Sequence, residues 1–275
     1  MASAIIRPPA VAGRFYPRDP EDLRAEVVGY LSQPSSDKPS SVHAIGCIAP
    51  HAGYVYSGHV AGTVFARIDI PRRCVVLCPN HTGQGRALAI MSEGAWETPL
   101  GEIPIDAELA AALRQRFSPL QEDSAAHRAE HAIEVELPFL QICQPQLTFV
   151  PIALGTTRYE TLEQLGTALA DVISAQHDPI LIVASGDMNH YESDVVTRAK
   201  DHRAIERILT LDPRGLHEVV TQQNISMCGL GPAVAMLIAA RQLGAKSADL
   251  VKYATSGDVS GDREMVVGYA GVVVR

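Results

Sequence analysis

The feature that most constrains this chain is its alternation of short, almost wholly apolar runs with longer amphipathic ones. HAIGCIAP (43–50), RCVVLCP (73–79), ALAIM (87–91), LTFVPIAL (147–154) and PILIVAS (179–185) read as strands. Runs this apolar need cover on both faces, as in a sheet buried between helices. Helical periodicity lies between and after them, over 57–67, 106–117, 130–141, 158–176, 196–209, 213–220 and 232–243. Near the start, Asp19-Pro20 predicts a helix to about Gln33, with Asp as cap and Pro in the first turn. The polar stretch PSSDKPSS (34–41) reads as a surface loop, and the Gly and Pro signals of 96–105 as a hairpin or crossover. DLVKYATS (249–256) and MVVGYAGVVV (265–274) are closing strands, joined closely enough for an antiparallel hairpin. The expectation is an α/β three-layer sandwich with a mixed central sheet, forming one domain over 1–275.

Charge and cysteine usage narrow the partners. The net charge is −8 and the basic residues are scattered, the densest cluster being Arg72-Arg73, so no phosphate-binding face for nucleic acid is expected. No segment approaches the roughly 18 apolar residues of a membrane span. The opening MASAIIRPPAVAGRFYP has Arg and Pro where a signal peptide needs an unbroken apolar run. The five cysteines are odd in number and lack zinc-ribbon or thioredoxin spacing, which fits a reduced, cytoplasmic protein. Cys74 and Cys78 fall on one face of a strand and read as core.

In open α/β sheets ligands gather outside the carboxyl ends of the strands. Three predicted strands deliver a histidine there: His51 in PHAGYVYSG, His81 in PNHTG, and His190 in SGDMNHY, with Asp187 beside it. Imidazoles brought from distant segments onto one rim suit a metal site or acid–base chemistry. Cys228 in MCGLGP precedes a predicted helix, where a thiol pKa can be lowered. Two histidines and a thiolate favour iron, copper or zinc over magnesium or calcium. Each residue also has a plainer reading: loop histidines for His51 and His81, a buried free thiol for Cys228, a turn cap for Asp187, a packing histidine for His131. There is no P-loop, no GxGxxG after a strand, no GxSxG and no HExxH.

Eight ordered motifs, PPAVAGRFYP, APHAGYVYSG, PNHTG, WETPLG, EHAIEVELPFLQ, SGDMNHYES, MCGLGP and TSGDVSGD, together resemble the Memo-like family, whose bacterial and archaeal members are called AmmeMemoRadiSam system protein B. The resemblance covers nearly the whole chain. It implies a fold similar to that of the class III extradiol dioxygenases, with iron or copper on His51, His81 and Cys228 and with Asp187 and His190 lining the same pocket. It further implies acid–base roles for His190 and His131, and radical-SAM and AMMECR-type proteins as functional neighbours. The animal relative is described as a mediator of growth-factor-driven motility, with redox activity and phosphopeptide binding both proposed. Against the family pattern, Cys78 stands where glycine is expected, His81 lacks an adjacent second histidine, and Asn189 replaces a small residue. The dioxygenases carry a carboxylate where this chain has Cys228.

Three functions are compatible with this reading. The first is a metal-dependent redox enzyme in which His190 moves protons and Asp187 orients it. The second is a module binding a peptide or small molecule in the same pocket, with Tyr54 and Asn80 as contact residues. The third is a zinc hydrolase with His190 or Glu134 as general base.

Overall fold

A computed structural model describes residues 5–32 and 41–275. The expected loop at 34–41 therefore lies, apart from Ser41, outside the described residues. Among the described residues a nine-stranded mixed sheet forms the centre. Its middle is parallel: Gly46–Ala49 pairs with Ile180–Ser185, which pairs with Arg73–Pro79, which pairs with Thr148–Leu154. Antiparallel strands flank this block, with Val266–Val274 beside Gly46–Ala49 and Leu88–Ile90 beside Thr148–Leu154. Ala248–Thr255 and Val266–Val274 make the expected antiparallel hairpin.

The two-residue period of the strands divides the core in two. Val75, Leu77, Val150, Ile152 and Ile182 enter the core packed by the helices Tyr159–Ser174 and Leu230–Gln242. Cys74, Val76, Cys78, Leu181 and Val183 enter the opposite one, packed by Tyr54–Arg67 and Ala132–Cys143. Each of these aliphatic side chains contributes about 1.5–3 kcal/mol by leaving water. Cys74 and Cys78 are fully buried on one face, where burial pushes both thiols up. The sequence-based helix starts hold where a cap defines them. Asp19 accepts from Glu21 N and Asp22 N, and Asp106 accepts from Leu109 N.

Four departures bear on the site. The helix after His51 begins at Tyr54, three residues before the predicted Ser57. His190 lies on a short strand, His190–Glu192, paired with the start of Val266–Val274. A register shift in that pairing leaves Tyr191 at φ +60. Residues 96–104 form the expected hairpin, within Ala95–Thr98 and Gly101–Pro104, but Ile6–Arg7 joins it as a parallel third strand whose brevity hides it from periodicity. Among the described residues no helix is long and apolar enough to cross a membrane.

Candidate metal centre

His51, Asp187 and His81 lie just past the ends of three adjacent parallel strands, with Ile180–Ser185 in the middle. Strands two apart are separated by roughly 10 Å, a gap that two histidines leaning inward can close. Their rings do so, with centroids 5.1 Å apart. Cys228 arrives from the other direction, in the loop before Leu230–Gln242. Ligand atoms of His51, His81 and Cys228 all lie within 4.8 Å of one another. His51 Nε2 and Cys228 Sγ are 3.4 Å apart. Tetrahedral ligands at standard Zn–N and Zn–S lengths would be separated by about 3.5 Å, so the pair fits one shared ion.

Partners behind the rings fix their orientation. His81 Nδ1–H donates to Glu130 Oε1 at 2.9 Å, and its backbone N–H donates to Glu130 Oε2 at 2.6 Å. Burial alone would raise the fully buried Glu130; the His81 hydrogen bond and charge outweigh it and hold the carboxylate below its usual range. The same pairing raises His81 against the effect of burial. His51 Nδ1 lies 2.9 Å from Ser185 Oγ. That hydroxyl has Ala132 O at 2.8 Å and Glu136 Oε1 at 3.0 Å as acceptors on its far side. We therefore assign the His51 proton to Nδ1, which leaves the Nε2 lone pair facing Cys228. Burial, then the charges of His131 and His81, keep His51 well below its ordinary pKa, hence neutral and able to ligate. Glu136 is fully buried, its Oε2 has no partner, and burial pushes its carboxyl well above the usual carboxylate range.

Cys228 departs from the sequence expectation. Its thiol is pushed well above the ordinary range, first by burial and then by the nearby Asp187 carboxylate. The helix start does not offset these two effects, although Asp187 N–H donates to Sγ at 3.2 Å. A bound cation would reverse this balance, because a thiol must lose its proton to ligate a metal and such binding strengthens as pH rises.

The cavity above these residues has a volume of about 540 Å³, within the range of small-molecule sites. His131, Asp187 and His190 line it, together with Phe15, Tyr191 and Tyr269. His131 stands at the N-cap position of Ala132–Cys143 without a side-chain cap bond and stacks on His81, centroids 4.7 Å apart, with the Phe15 ring at 4.8 Å. His190 Nδ1–H donates to Ser226 O at 2.7 Å, leaving Nε2 open. Asp187 Oδ1 accepts His51 N–H at 2.9 Å, and burial raises its carboxyl to about 6.

Two expected contact residues are not on the cavity wall. Tyr54 belongs to the helix rather than the loop, which turns its side chain into the core. It is 1% exposed, and its hydroxyl donates to Val135 O at 2.8 Å. Asn80 spends its side chain on its own turn, donating to Gln84 O and accepting from Thr82 Oγ1 and Gly83 N. Glu134, the alternative hydrolytic base, is fully buried and bound to Arg7, Tyr16 OH, Ala10 N and Val11 N. Sequence reasoning misses Ser185, Glu130 and Glu136. For the two glutamates the one visible signal is the presence of acids within the apolar run EHAIEVELPF; Ser185 ends an apolar strand run and carries no such signal.

Gly186 and Gly229 hold the two walls together. A Cβ on Gly186 would lie 2.2 Å from Gly229 Cα, and one on Gly229 would lie 2.6 Å from Gly186 Cα. Gly229→Ala is therefore expected to cost about 1–3 kcal/mol by overpacking and to move Cys228 away from Asp187. Thermal unfolding beside the wild type checks this, and an unchanged transition would refute the contact.

The fold and site define a mixed α/β sandwich with a His–His–Cys cluster at the carboxyl edge of its parallel strands. Comparison with known proteins carries this further. A family profile described as Memo-like protein matches residues 7–273, and the chain belongs to that family. It is 44% identical to a MEMO1 family protein of Methanopyrus kandleri, covering 98% of this chain and 99% of the relative. It is 42% identical to one of Methanothermobacter thermautotrophicus, covering 97% and 99%. The fold is similar to an uncharacterized protein of Escherichia coli K12, with a TM-score of 0.53 at 12% identity, covering 83% of this chain and 98% of that one.

Proposed function

We propose that the chain is a metal-dependent redox protein that holds iron or copper on His51, His81 and Cys228 and acts on a small molecule or peptide in the cavity above them. The observation that carries this reading is the convergence of two pinned imidazoles and a thiol within 4.8 Å at one strand edge. Thiolate with imidazole suits iron, copper or zinc; iron or copper, when bound, would supply electron transfer and polarisation of a coordinated group. The chain's own residues supply the rest. Glu130 and Ser185 hold the ligating rings in place. His190 Nε2 takes or returns a proton at the substrate, while Ser226 fixes the ring through Nδ1. His131 offers a second imidazole beside His81. Phe15, Tyr191 and Tyr269 give the cavity an aromatic side for an organic substrate. The zinc-hydrolase reading loses Glu134 as a base, because all the partners of that carboxylate are structural.

Metal analysis of protein purified without oxygen tests the proposal. The wild type is expected to retain on the order of one iron or copper per chain. His51→Ala, His81→Ala and Cys228→Ser are each expected to lose most of it while remaining folded by circular dichroism. A wild type free of both metals, or a Cys228→Ser variant that binds as well, would sink it.

A further inference from the structure

Three overlapping groups of metal-ligating side chains face one another here: His51, His81 and Cys228; His81, Glu130 and His131; and Asp187, His190 and Cys228. They differ in what their lone pairs already do. The middle group is spent. Glu130 Oε1 accepts the His81 ring N–H and the backbone N–H groups of His131 and Ala132, and Oε2 accepts the His81 backbone N–H, so Oε1 has no lone pair left for a cation and the carboxylate is committed to holding His81.

The third group is not spent. His190 uses only Nδ1, on Ser226 O, and keeps Nε2 open. Asp187 is 4% exposed, yet the N–H groups it holds belong to backbone. No lysine or arginine lines the cavity, and among the described residues none forms an ion pair with Asp187. A buried carboxylate with imidazoles but no lysine or arginine beside it is costly unless a proton or a cation compensates it. Its nearest cation-binding companions, His190 and Cys228, offer ligand atoms within 4.8 Å of its own.

We infer that the cavity has a second cation position, formed by Asp187, His190 and Cys228, adjoining the first and sharing the Cys228 sulfur as a bridge. The inference rests on Cys228 serving the first position. It assigns the second a carboxylate, an imidazole and a shared thiolate, a set suited to a borderline divalent ion rather than to calcium or magnesium. The two positions are not equal. The first has two imidazoles pinned by buried partners, whereas His190 is half-buried and next to the strained Tyr191. The second position therefore fills after the first, at higher free metal. Filling it occupies His190 Nε2, the atom that moves protons in the proposed reaction, so excess metal and proton transfer exclude one another.

Anaerobic titration of the metal-free full chain with cobalt(II) separates the positions, since cobalt–thiolate absorption and bound-metal analysis report filling independently of turnover. The wild type is expected to take up two equivalents in two phases. Asp187→Asn and His190→Gln should each abolish the second phase and keep the first. His81→Ala should weaken the first and keep a phase that depends on Asp187. Saturation at one equivalent, lost in His81→Ala and untouched by Asp187→Asn and His190→Gln, overturns the second position and leaves the first standing. A single equivalent lost in Asp187→Asn but unaffected by His81→Ala upholds the Asp187–His190 position and overturns the proposed centre instead. A second equivalent that survives both Asp187→Asn and His190→Gln overturns the inference as well.

Discussion

Replacing Glu134 with alanine is expected to lower stability by about 3–5 kcal/mol, the usual cost of stranding one partner of a buried ion pair. The carboxylate is fully buried and paired with Arg7, whose side chain is 3% exposed. It also accepts Ala10 N at 2.8 Å, Val11 N at 2.9 Å and Tyr16 OH at 2.6 Å. Removing it strands a guanidinium, two peptide N–H groups and a phenol together. Arg7 retains bonds to His127 O and Glu130 O and its place over the Trp96 ring at 4.2 Å, so part of its charge stays compensated. For a chain of this size the change corresponds to a fall in melting temperature on the order of 10 °C. Urea denaturation at neutral pH measures it directly, and a midpoint equal to the wild type would refute the assignment. The effect should reach the cavity too. The segment that Glu134 anchors continues to Phe15, which packs on His131 and whose carbonyl accepts Tyr54 N–H at 2.8 Å. Looser packing there should appear as broadened His131 resonances.

The second large effect falls on metal affinity. Glu130→Gln keeps the size of the side chain but removes the charge that holds His81 through both its backbone and its ring. Changes of this kind behind a ligating histidine typically cost 10–100-fold in affinity, and competition against a chelator would read that loss. Stability should fall less, because the amide oxygen can still accept from Ala132 N or His81 Nδ1. Affinity within about twofold of wild type would mean that His81 does not depend on this partner, and the His51–His81–Cys228 centre would lose one of its supports.

Much of this site is legible because strand ends are legible. His51 and His81 stand out as polar residues just past an apolar run, and Cys228 by its place before a helix. The strand period places Cys74 and Cys78 in the core correctly. The features that escape sequence reasoning lie one layer further back or one turn away. Glu130, Glu134 and Glu136 sit in a segment whose pattern says only that a helix is half-buried; nothing local says that three acids in it are fully enclosed. Glu134 and the Glu130 carbonyl meet Arg7 on a strand, Ile6–Arg7, too short to show a period, and Glu136 meets Ser185 from a distant strand. Tyr54 is misplaced by the sequence because the helix starts three residues early, under Gly53, which makes no side-chain cap bond. A start without a capping side chain leaves little trace in sequence. The thiol of Cys228 defies the local pattern for a related reason: helix-terminus electrostatics are local, whereas the burial and the Asp187 charge that outweigh them come from elsewhere in the chain.

The contact between Gly186 and Gly229 closes an option that most packed pairs keep open. Where two side chains meet, enlarging one can be accommodated by trimming the other, and the pair can drift together through sequence space. Here neither residue has anything to trim, since the touching atoms are main-chain carbons. A second-site search for suppressors of Gly229→Ala would therefore find none at position 186. Repair would have to come from shifting a whole loop, and with it Asp187 or Cys228, so the two positions are tied to the metal centre without any side chain of their own.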